Sequence, residues 1–575
     1  MRSVWGCGTN HSIAMSKPRS RISIFQTIGL SLALGAGLCA CGGASNGSNG
    51  GGGNPATQYP QPPAGSAFLT QSDVDMLVQA AAQTANSDTM SIAVVDRLGN
   101  ILAVWQGPSA SATSPGNYSN MVPTGDLAVS LARTAAFFSN DQAPLSSRTV
   151  RYISGIHFPP GISNAPNAAL YGIESTNRGC LLSSNYIVGQ EIPPAVAIDG
   201  SPDRLGVITG KADSMDSQPF AVNPGGVPIF KSGHVVGGIG IAGVPLDVAE
   251  YVAYAASAMI ALEGPNVATD QIGFLPLPPP GAVVIGGIAV PFVDTTSPPS
   301  DLTPPSGPFN SSFYVIAPVA STGSLPEGYL LGPANGPIGG LTSAQVDTII
   351  MNAVNTANTT RAAIRLPLES RARMMIAVSD LDGTIIGLYR MHDATVFSID
   401  VAATKARNVI YFSGPNRTTA DLPGVPLGTA VTNRTISFGA MPLFPPGIDG
   451  TSPGPFFDLF TQDMANPCTQ GADTPGPPGP NTAQNQSGIV FFPGSEPLYV
   501  DGVLVGGLGV SGDGVEQDDY VTDGGACGAG PGACVNGCPS GAADCFAAPA
   551  AMRADQILIQ RVRLPYLSFP RNPTD

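Results

Sequence analysis

The sequence predicts an α+β fold in which an antiparallel sheet packed by helices is present in two tandem copies, with long Pro/Gly-rich insertions. Segments of the second half repeat segments of the first half in the same order. Each half also alternates helical periodicity with pairs of apolar strands joined by short turns. Because short turns join antiparallel strands, this order of elements gives an antiparallel sheet covered by helices. The 71 glycines and 56 prolines among 575 residues indicate that much of the remainder is loop.

The repeat is a duplication of a whole domain. The offset between matched positions is 272 residues at Leu69 and Leu341, and 286 residues at Arg148 and Arg434. An offset this large and nearly constant is not that of a short solenoid repeat. The matched segments, with the first copy before the second, are SIAVVDRLGN (91–100) and MIAVSDLDGT (375–384), DLAVSLARTAAFFS (126–139) and DVAATKARNVIYFS (400–413), RTVRYISGIHFPPGI (148–162) and RTISFGAMPLFPPGI (434–448), and HVVGGIGIAG (234–243) and LVGGLGVSG (504–512).

Each copy opens with a helix followed by a hairpin. A capping signal starts the helix, at Thr70 with Asp73 in the first copy and at Thr342 with Gln345 in the second. Apolar residues then recur at helical spacing. The strand pair that follows turns at an Asp-Gly pair in the second copy (382–383), which is a strong hairpin signal.

An amphipathic helix, a long excursion, a closing hairpin and a last helix complete each copy. The excursions span roughly 140–225 and 414–490 and are rich in proline and glycine. The closing hairpins turn at a Ser-Gly pair and an Asp-Gly pair. We expect the last helix at 245–263 in the first copy, and we expect the cysteine-rich insert to break it in the second copy.

These segments set the predicted domain boundaries. They are a lipoprotein signal peptide at 1–41, a flexible Gly/Ser/Pro tether at 42–65, a first domain at 66–297, a Pro/Gly-rich linker at 298–337, and a second domain at 338–575 with a Cys-rich insert at 524–548. Beyond the signal, no apolar run reaches the length that crosses a membrane.

The first 41 residues carry an export signal. Four basic residues and no acid accompany an apolar stretch at 22–38, and small residues precede Cys41. The pattern resembles a bacterial lipoprotein signal, which predicts lipidation of Cys41. An exported protein in the cell envelope, anchored at the outer membrane and facing the periplasm or the exterior, is therefore expected. Cleavage near Ala40 as an ordinary signal peptide is the alternative, and Met15 is an alternative start to Met1.

Charge argues against unassisted binding to nucleic acid. The formal net charge is −15 for the chain and becomes −19 without the four basic residues of the signal. Binding to a phosphate backbone needs clustered Lys and Arg. We therefore expect no nucleic-acid partner, and the lipoprotein-like signal predicts contact with the membrane through the N-terminal lipid anchor.

Six cysteines beyond the signal are disulfide candidates. They are Cys527, Cys534, Cys538, Cys545, Cys180 and Cys468. The first four lie in the Gly/Pro-rich insert with spacing x6, x3, x6, and in an oxidising compartment we expect them to form two disulfides that staple a surface loop. A zinc site is the less favoured alternative, because such sites more typically show CxxC pairs. Cys180 and Cys468 occupy matching places in the two copies, and we hypothesise that they pair between the domains.

Three motifs of the second copy carry a resemblance to a known family. They are the strand followed by D-x-x-G, the stretch RM-x-x-A with D-x-A-x-x-KAR after it, and the run G-x-x-x-G-x-x-G-x-S-G. Together they resemble the GlcG/HbpS family (DUF336-type), small secreted or cytoplasmic domains described as haem-binding or haem-degrading and also found as the tail domain of a cobalamin adenosyltransferase. The resemblance covers about 66–262 and 338–526, apart from the excursions. The first copy lacks the RM motif and retains only Ala132-Arg133 of KAR.

The resemblance implies a ligand site in the second copy. The residues it assigns to cofactor binding are Arg390, Met391, His392, Lys405, Arg407, Gly507, Gly509, Ser511 and Gly512. The implied cofactor is haem, whose iron takes an axial His, Cys, Met or Tyr, and His392 is the best-placed donor and the candidate metal ligand. Family members commonly self-associate, so the resemblance also implies a homo-oligomer.

The glycine runs match the dinucleotide-binding fingerprint in letters but not in context. Both Gly238-x-Gly240-x-x-Gly243 and Gly507-x-Gly509-x-x-Gly512 close a hairpin late in their domain. A dinucleotide site needs instead a βαβ unit with a parallel strand after the helix. Two roles stay open for these glycines: close packing of a strand against a helix, or an anion cradle at a helix N-terminus.

Arginines retained in both copies have two interpretations. Arg148 and Arg434 recur shortly before FPPGI, and Arg133 and Arg407 recur on the amphipathic helix. An internal ion pair or a contact with a backbone carbonyl is one interpretation. The other is a bidentate clamp for a carboxylate ligand.

Three functions remain open from the sequence. The favoured one is an exported binding or sensing protein for a small, haem-type ligand. The second is an enzyme of haem breakdown or of small organic acids, for which the chain offers few titrating candidates and no assigned catalytic residue. The third is a ligand-free structural scaffold at the cell surface, which the degenerate motifs of the first copy would suit.

Overall fold

Two five-stranded antiparallel sheets with helices on both faces frame the protein. The structure, a computed structural model, describes residues 68–85, 88–115, 121–164, 170–173, 224–258, 283–465 without 295, 301, 304, 306 and 324, and 488–574. The predicted signal peptide and tether lie outside these residues, as do Cys41, Cys180 and Cys468. All described residues belong to one compact unit.

The first half, residues 66–297, builds its sheet from two hairpins and one added strand. Its sheet has the strand order β5-β6-β1-β2-β9, and every neighbouring pair is antiparallel. The helices and strands are α1 (Gln71–Thr84), β1 (Ser91–Asp96), β2 (Ile101–Gln106), β3 (Thr113–Pro115), β4 (Met121–Pro123), α2 (Thr124–Phe138), α3 (Ser147–Ser154), β5 (Gly226–Lys231), β6 (His234–Ala242), α4 (Leu246–Ser257), β7 (Val284–Ile285), β8 (Ile288–Ala289) and, from the linker, β9 (Tyr314–Ile316).

The second half, residues 338–575, repeats this arrangement. Its sheet has the order β10-β12-β11-β14-β13, which is the order of the first sheet read from the other edge, and its pairs are again antiparallel. The helices and strands are β10 (Gly328–Leu331) from the linker, α5 (Ser343–Thr359), β11 (Met375–Ser379), β12 (Ile385–Arg390), α6 (Phe397–Ser413), α7 (Asn433–Gly439), α8 (Phe457–Ala465), β13 (Ser495–Val500), β14 (Val503–Ser511), α9 (Val515–Ala526), β15 (Leu558–Ile559) and β16 (Val562–Arg563). The predicted α+β fold is confirmed.

Each sheet has apolar cores on both faces because its strands are buried on both sides. In β1, Ile92 and Val94 join the core under α1 and α4, whereas Ala93 and Val95 join the core with α2. Successive side chains of a strand point to opposite faces, so the helices cover both. The second sheet does the same with α5 and α9 on one face and α6 on the other.

Glycine lets the amphipathic helix lie close to the sheet. A Cβ on Gly240 would overlap the carbonyl oxygen of Ala128, and a Cβ on Gly509 would overlap that of Ala402. The neighbouring strand glycines Gly238 and Gly507 meet α2 and α6 in the same way. The glycine runs therefore serve close helix–strand packing, one of the two roles that the sequence leaves open.

The first helix of each half begins as predicted, but the last helix of the second half does not end as predicted. Thr70 and Thr342 both form the expected capping boxes at the starts of α1 and α5. The last helix of the second half is not broken by the cysteine insert, contrary to expectation. α9 runs unbroken for 12 residues, as α4 does, and ends at Ala526, inside the predicted insert at 524–548.

The linker completes both sheets. β9 pairs with β2, and β10 pairs with β12, so residues 298–337 supply one edge strand to each half. Aromatic contacts hold β9 in place, because Trp105 packs against Phe309 and Phe313 and its Nε1 donates to the carbonyl of Asn310 (3.0 Å).

The two halves share an apolar core. One cluster of buried residues extends from Ala93 and Val104 in the first sheet to Ala377 and Leu388 in the second. Backbone joins them too, since the N–H of Val396 donates to the carbonyl of residue 137 (3.1 Å). Within the described part of the chain, no helix combines the length and the apolar character needed to cross a bilayer.

Candidate ligand site between the two halves

A cavity of about 460 Å³ opens between the two halves. The first half contributes Phe138 and Leu145 to its walls, and the second half contributes Phe397 and Phe492. The walls are mainly apolar, and the volume is that of a typical small-molecule site. The start of α9 forms part of the wall through residues 514–518.

A few polar groups lie among these apolar walls. Arg361 is half-buried and Arg571 is exposed, and both border the cavity. Ser511 is buried and donates to the hydroxyl of Ser398 (3.1 Å). The acidic side chain of Glu516 also borders the cavity, at the first turn of α9.

A buried ion pair lies at the wall of this cavity. Nζ of Lys405 donates to Oδ2 of Asp518 (3.0 Å) and to the carbonyl of Val510 (2.7 Å), and it lies 4.9 Å from the ring centre of Phe492. Burial lowers the pKa of Lys405 and raises the pKa of Asp518 to about 7. The opposite charge of each partner works against these shifts, because it stabilises the charged form of the other. Oδ1 of Asp518 has no hydrogen-bond partner among the described residues.

His392 lies outside the cavity walls, in a separate polar cluster. Its Nδ1 donates to the carboxylate of Glu327 (2.9 Å), a linker residue, and its side chain is 35% exposed. That hydrogen bond raises the pKa of His392. Arg390 is buried beside it, where Nη2 donates to the carbonyl of Ala394 (2.6 Å) and Nη1 to Glu327 (3.2 Å). Met391 points away into the core under α5.

The same cluster contains ion pairs within each half and a hydrogen bond between the halves. Asp141 of the first half accepts a hydrogen bond from Nδ1 of His234 (2.6 Å), and its backbone N–H donates to Asp393 of the second half (3.1 Å). Arg365 is fully buried and pairs with Asp393 (2.6 Å) and with Asp513. The bond from Asp141 to Asp393 joins the two halves, and Oδ1 of Asp513 has no hydrogen-bond partner among the described residues.

The paired arginines have structural partners in both halves. Nε of Arg407 donates to the carbonyl of residue 383 (2.7 Å), and Nε of Arg133 donates to that of residue 99 (3.0 Å). Each bond ties the amphipathic helix to the turn of the first hairpin. Arg148 pairs with Glu250 (2.6 Å), and Arg434 pairs with Asp519 at the equivalent place. Internal contacts therefore explain why all four arginines recur in the two halves. Burial lowers the pKa of Arg407 to about 9.

The structure brings together only part of the predicted site. Ser511 and Gly512 line the cavity, and Lys405 reaches it through Asp518. The other predicted positions are elsewhere: Arg390, Met391 and His392 in the polar cluster or the core beside it, Arg407 at the hairpin turn, and Gly507 and Gly509 under α6. The sequence did not single out Asp518, Phe492, Arg361 or Arg571 as site residues.

The predicted disulfides of the cysteine insert are present. Cys527 is bonded to Cys534, and Cys538 is bonded to Cys545. The two bridges adjoin, with 3.1 Å between the Sγ atoms of Cys534 and Cys545. Three of the sulfurs lie close enough together to hold a metal ion if reduced, but as disulfides they are not metal ligands.

Comparison with known proteins supports the resemblance in the second half. Residues 341–526 match the model of a family described as haem degrading protein HbpS-like, which confirms the resemblance over that range. The resemblance of the first half stays a prediction. No curated protein matches the chain.

Two solved structures are similar to part of the chain. One is a Klebsiella pneumoniae protein, ORFY, described as family-model DUF336, which is 19% identical and matches over 32% of this chain and 87% of its own, with a TM-score of 0.21. The other is the PduOC:heme complex, which is 20% identical over 32% of this chain and 91% of its own, also with a TM-score of 0.21.

Proposed function

We propose that this protein binds a small, largely apolar molecule with acidic groups, of haem type, in the cavity between its halves. The cavity itself carries the proposal, because the rings of Phe138, Phe397 and Phe492 line a space of about 460 Å³ beside Arg361 and Arg571. Aromatic walls suit a flat apolar ring system, and guanidinium groups suit carboxylates. The match of residues 341–526 to a haem-related family supports the same ligand class.

The cavity fits the ring and the carboxylates of a haem but not an axial bond to its iron. Such bonds come from His, Cys, Met or Tyr, and the described residues that line the cavity include none of these. His392, the predicted donor, lies in the polar cluster instead. The proposed ligand is therefore held by its ring and its acidic groups, and its metal has no protein ligand at this site.

Paired titrations with metal-free protoporphyrin IX and with haemin test the proposal. We expect both to bind the purified chain with similar affinity and one molecule per chain, as measured by absorbance and calorimetry. Arg361→Ala with Arg571→Ala should weaken both by at least about a hundredfold, since each charged hydrogen bond contributes about 1.5 to 3 kcal/mol and about 1.4 kcal/mol is a tenfold change in affinity. His392→Ala is the control and should change neither.

Two results would contradict the cavity as the site. One is failure of both porphyrins to bind. The other is binding of haemin alone that His392→Ala abolishes, because that result places the iron at the polar cluster.

We also propose that the protein is exported and held in the cell envelope by a lipid on Cys41. The basic and apolar pattern of residues 1–41 supports this, and the two disulfides of the insert suit an oxidising compartment. Cell fractionation of the wild type and of Cys41→Ala, with mass spectrometry of the N-terminal peptide, tests it. The variant should leave the membrane fraction, and an unmodified Cys41 in the wild type would contradict the anchor.

A further inference from the structure

The two halves differ at a pair of buried positions, one of which lines the cavity. In the second half, Lys405 on α6 pairs with Asp518 on α9, and both side chains are almost fully buried. The equivalent residues of the first half are Leu131 on α2 and Ala249 on α4. An ion pair in one half thus stands where the other half has an apolar contact.

Neighbouring glycines show that the positions are equivalent in space. A Cβ on Gly225 would lie 3.4 Å from both Leu131 and Ala249. A Cβ on Gly494, the matching residue, would lie 2.6 Å from Nζ of Lys405 and 2.7 Å from Cβ of Asp518. Both glycines are in the left-handed region and precede the first strand of the closing hairpin.

The fold does not require this ion pair. The first half reaches the same sheet order and the same helix packing with Leu131 and Ala249. Other buried polar contacts recur in both halves, as Arg133 and Arg407 do, and so belong to the shared fold. A buried ion pair adds little stability over an apolar pair, because removing two charges from water is costly. The Lys405–Asp518 pair therefore calls for a different explanation.

One carboxylate oxygen of Asp518 can still accept a hydrogen bond, and this offers such an explanation. Lys405 donates a hydrogen bond to Oδ2 of Asp518, whereas Oδ1 is buried without a hydrogen-bond partner among the described residues. The side chain of Asp518 lines the cavity. An unsatisfied buried oxygen costs free energy that a ligand donor can recover. Burial also raises the pKa of Asp518 to about 7, and Lys405 favours the charged, accepting form.

We propose that the Lys405–Asp518 pair is the polar recognition element of the cavity and favours, among apolar ligands with acidic groups, those that also carry an N–H or O–H donor. The proposal rests on the proposed function, since it takes the cavity as the ligand site. Lys405 acts as a positioning residue that holds the carboxylate, and Asp518 accepts the hydrogen bond from the ligand. The first half, which has no such pair at this place, has no equivalent acceptor there.

Two matched probes test this selectivity. 2-Naphthol and 2-methylnaphthalene have nearly the same shape, but only the first carries an O–H donor. We expect the full chain to bind 2-naphthol at least tenfold more tightly by calorimetry, because a site that hydrogen-bonds a donor rejects an analogue that lacks it. Lys405→Leu with Asp518→Ala, which copies the first half, should bind both probes equally. Lys405→Met with Asp518→Leu, which better fills the space, should do the same.

The outcomes separate the two proposals. Equal binding of both probes by the wild type, or a preference that persists in folded double variants, overturns the recognition role but leaves the cavity as a ligand site. Failure of both probes and both porphyrins to bind overturns the cavity itself. Loss of the preference in Glu516→Ala instead would assign the acceptor to that neighbouring acid. Unfolding of both double variants by circular dichroism would show that the pair serves the fold, which also contradicts the proposal.

Discussion

The rings of Phe138 and Phe397 stack face to face across the boundary between the halves, with 4.1 Å between their centres and 8° between their planes. One ring ends α2 and the other begins α6. Both rings also line the cavity. The contact that joins the halves and the wall that shapes the proposed ligand site are therefore the same pair of side chains.

Removing one of these rings should weaken the fold. Phe397→Ala should lower the free energy of unfolding by about 3 to 5 kcal/mol, because it deletes a buried ring and leaves a void. Urea unfolding followed by circular dichroism measures this. Leu246→Ala is the matched control, since Leu246 is 62% exposed and its loss should change the free energy by no more than about 0.5 kcal/mol. Equal effects of the two substitutions would contradict the packing described.

Arg407 should prove structural rather than ligand-binding. Arg407→Met removes the guanidinium but keeps an apolar stem, and it leaves the carbonyl of residue 383 without that donor. We expect a loss of about 1 to 3 kcal/mol in unfolding free energy. Arg133→Met in the first half should lose a similar amount, and neither should alter porphyrin affinity. A selective loss of affinity in Arg407→Met would restore it to the ligand site.

The strand glycines should not tolerate even one methyl group. Gly509→Ala places a Cβ against the carbonyl of Ala402 and should force α6 away from the sheet. Overpacking of this kind costs about 1 to 3 kcal/mol or more. Gly332→Ala is the control, because no atom lies within 4 Å of its added Cβ. The melting temperature of each variant provides the measurement, and a neutral Gly509→Ala would argue against close helix–strand packing.

The His392–Glu327 contact predicts a pH dependence of stability. The hydrogen bond to Glu327 raises the pKa of His392 above its ordinary value of 6.5. The contribution of this hydrogen bond to the free energy of unfolding is therefore complete below pH 6.5, and it is lost as the pH rises through the raised pKa of His392. Glu327→Gln removes that contribution, so the gap in urea midpoint between wild type and variant should be large at pH 5.5 and shrink by pH 9. A gap that stays constant with pH would contradict the charged contact.

Glu327, the other partner of this contact, affects stability in acid. Burial alone would raise the pKa of Glu327, but the bond from His392 and the charge of Arg390 outweigh it and hold the pKa at about 2. The carboxylate of Glu327 therefore stabilises the fold fully above pH 4.5, the ordinary pKa of glutamate, and this stabilisation is lost as the pH falls through about 2.

The cysteine insert should be stabilised by its bridges. Each disulfide closes a loop with a sequence separation of 7 residues. The loop entropy of a closure this short corresponds to about 2 to 3 kcal/mol. Replacing Cys538 and Cys545 by Ser should make the insert cleavable by protease at lower urea concentrations than in the wild type. Unchanged cleavage would mean that packing alone holds the loop.

Most of the fold can be predicted from the sequence, because short local patterns determine most of its helices and strands. The capping pairs, the Asp-Gly turns and the apolar alternation each specify an element within a few residues. The edge strands β9 and β10 were not predicted, since each is short and lies in proline- and glycine-rich chain. Their pairing depends on β2 and β12, which lie far away in sequence.

The candidate site was predicted only in part, because it forms between segments that are distant in the chain. A motif of the sequence contains Ser511 and Gly512, whereas no motif of the sequence contains Asp518. Its burial depends on Lys405, 113 residues earlier, and on the second half meeting the first. Comparing the two copies position by position, Leu131 against Lys405 and Ala249 against Asp518, could have revealed the pair without a structure.

The edge strands of the linker also determine where this polypeptide can be divided. Only the segment between residues 316 and 328 separates the strand that completes the first sheet from the strand that completes the second. A break elsewhere in the linker would leave β2 or β12 with bare backbone groups, and such a row recruits strands from other molecules. Independent production of either half thus depends on a break within residues 317–327.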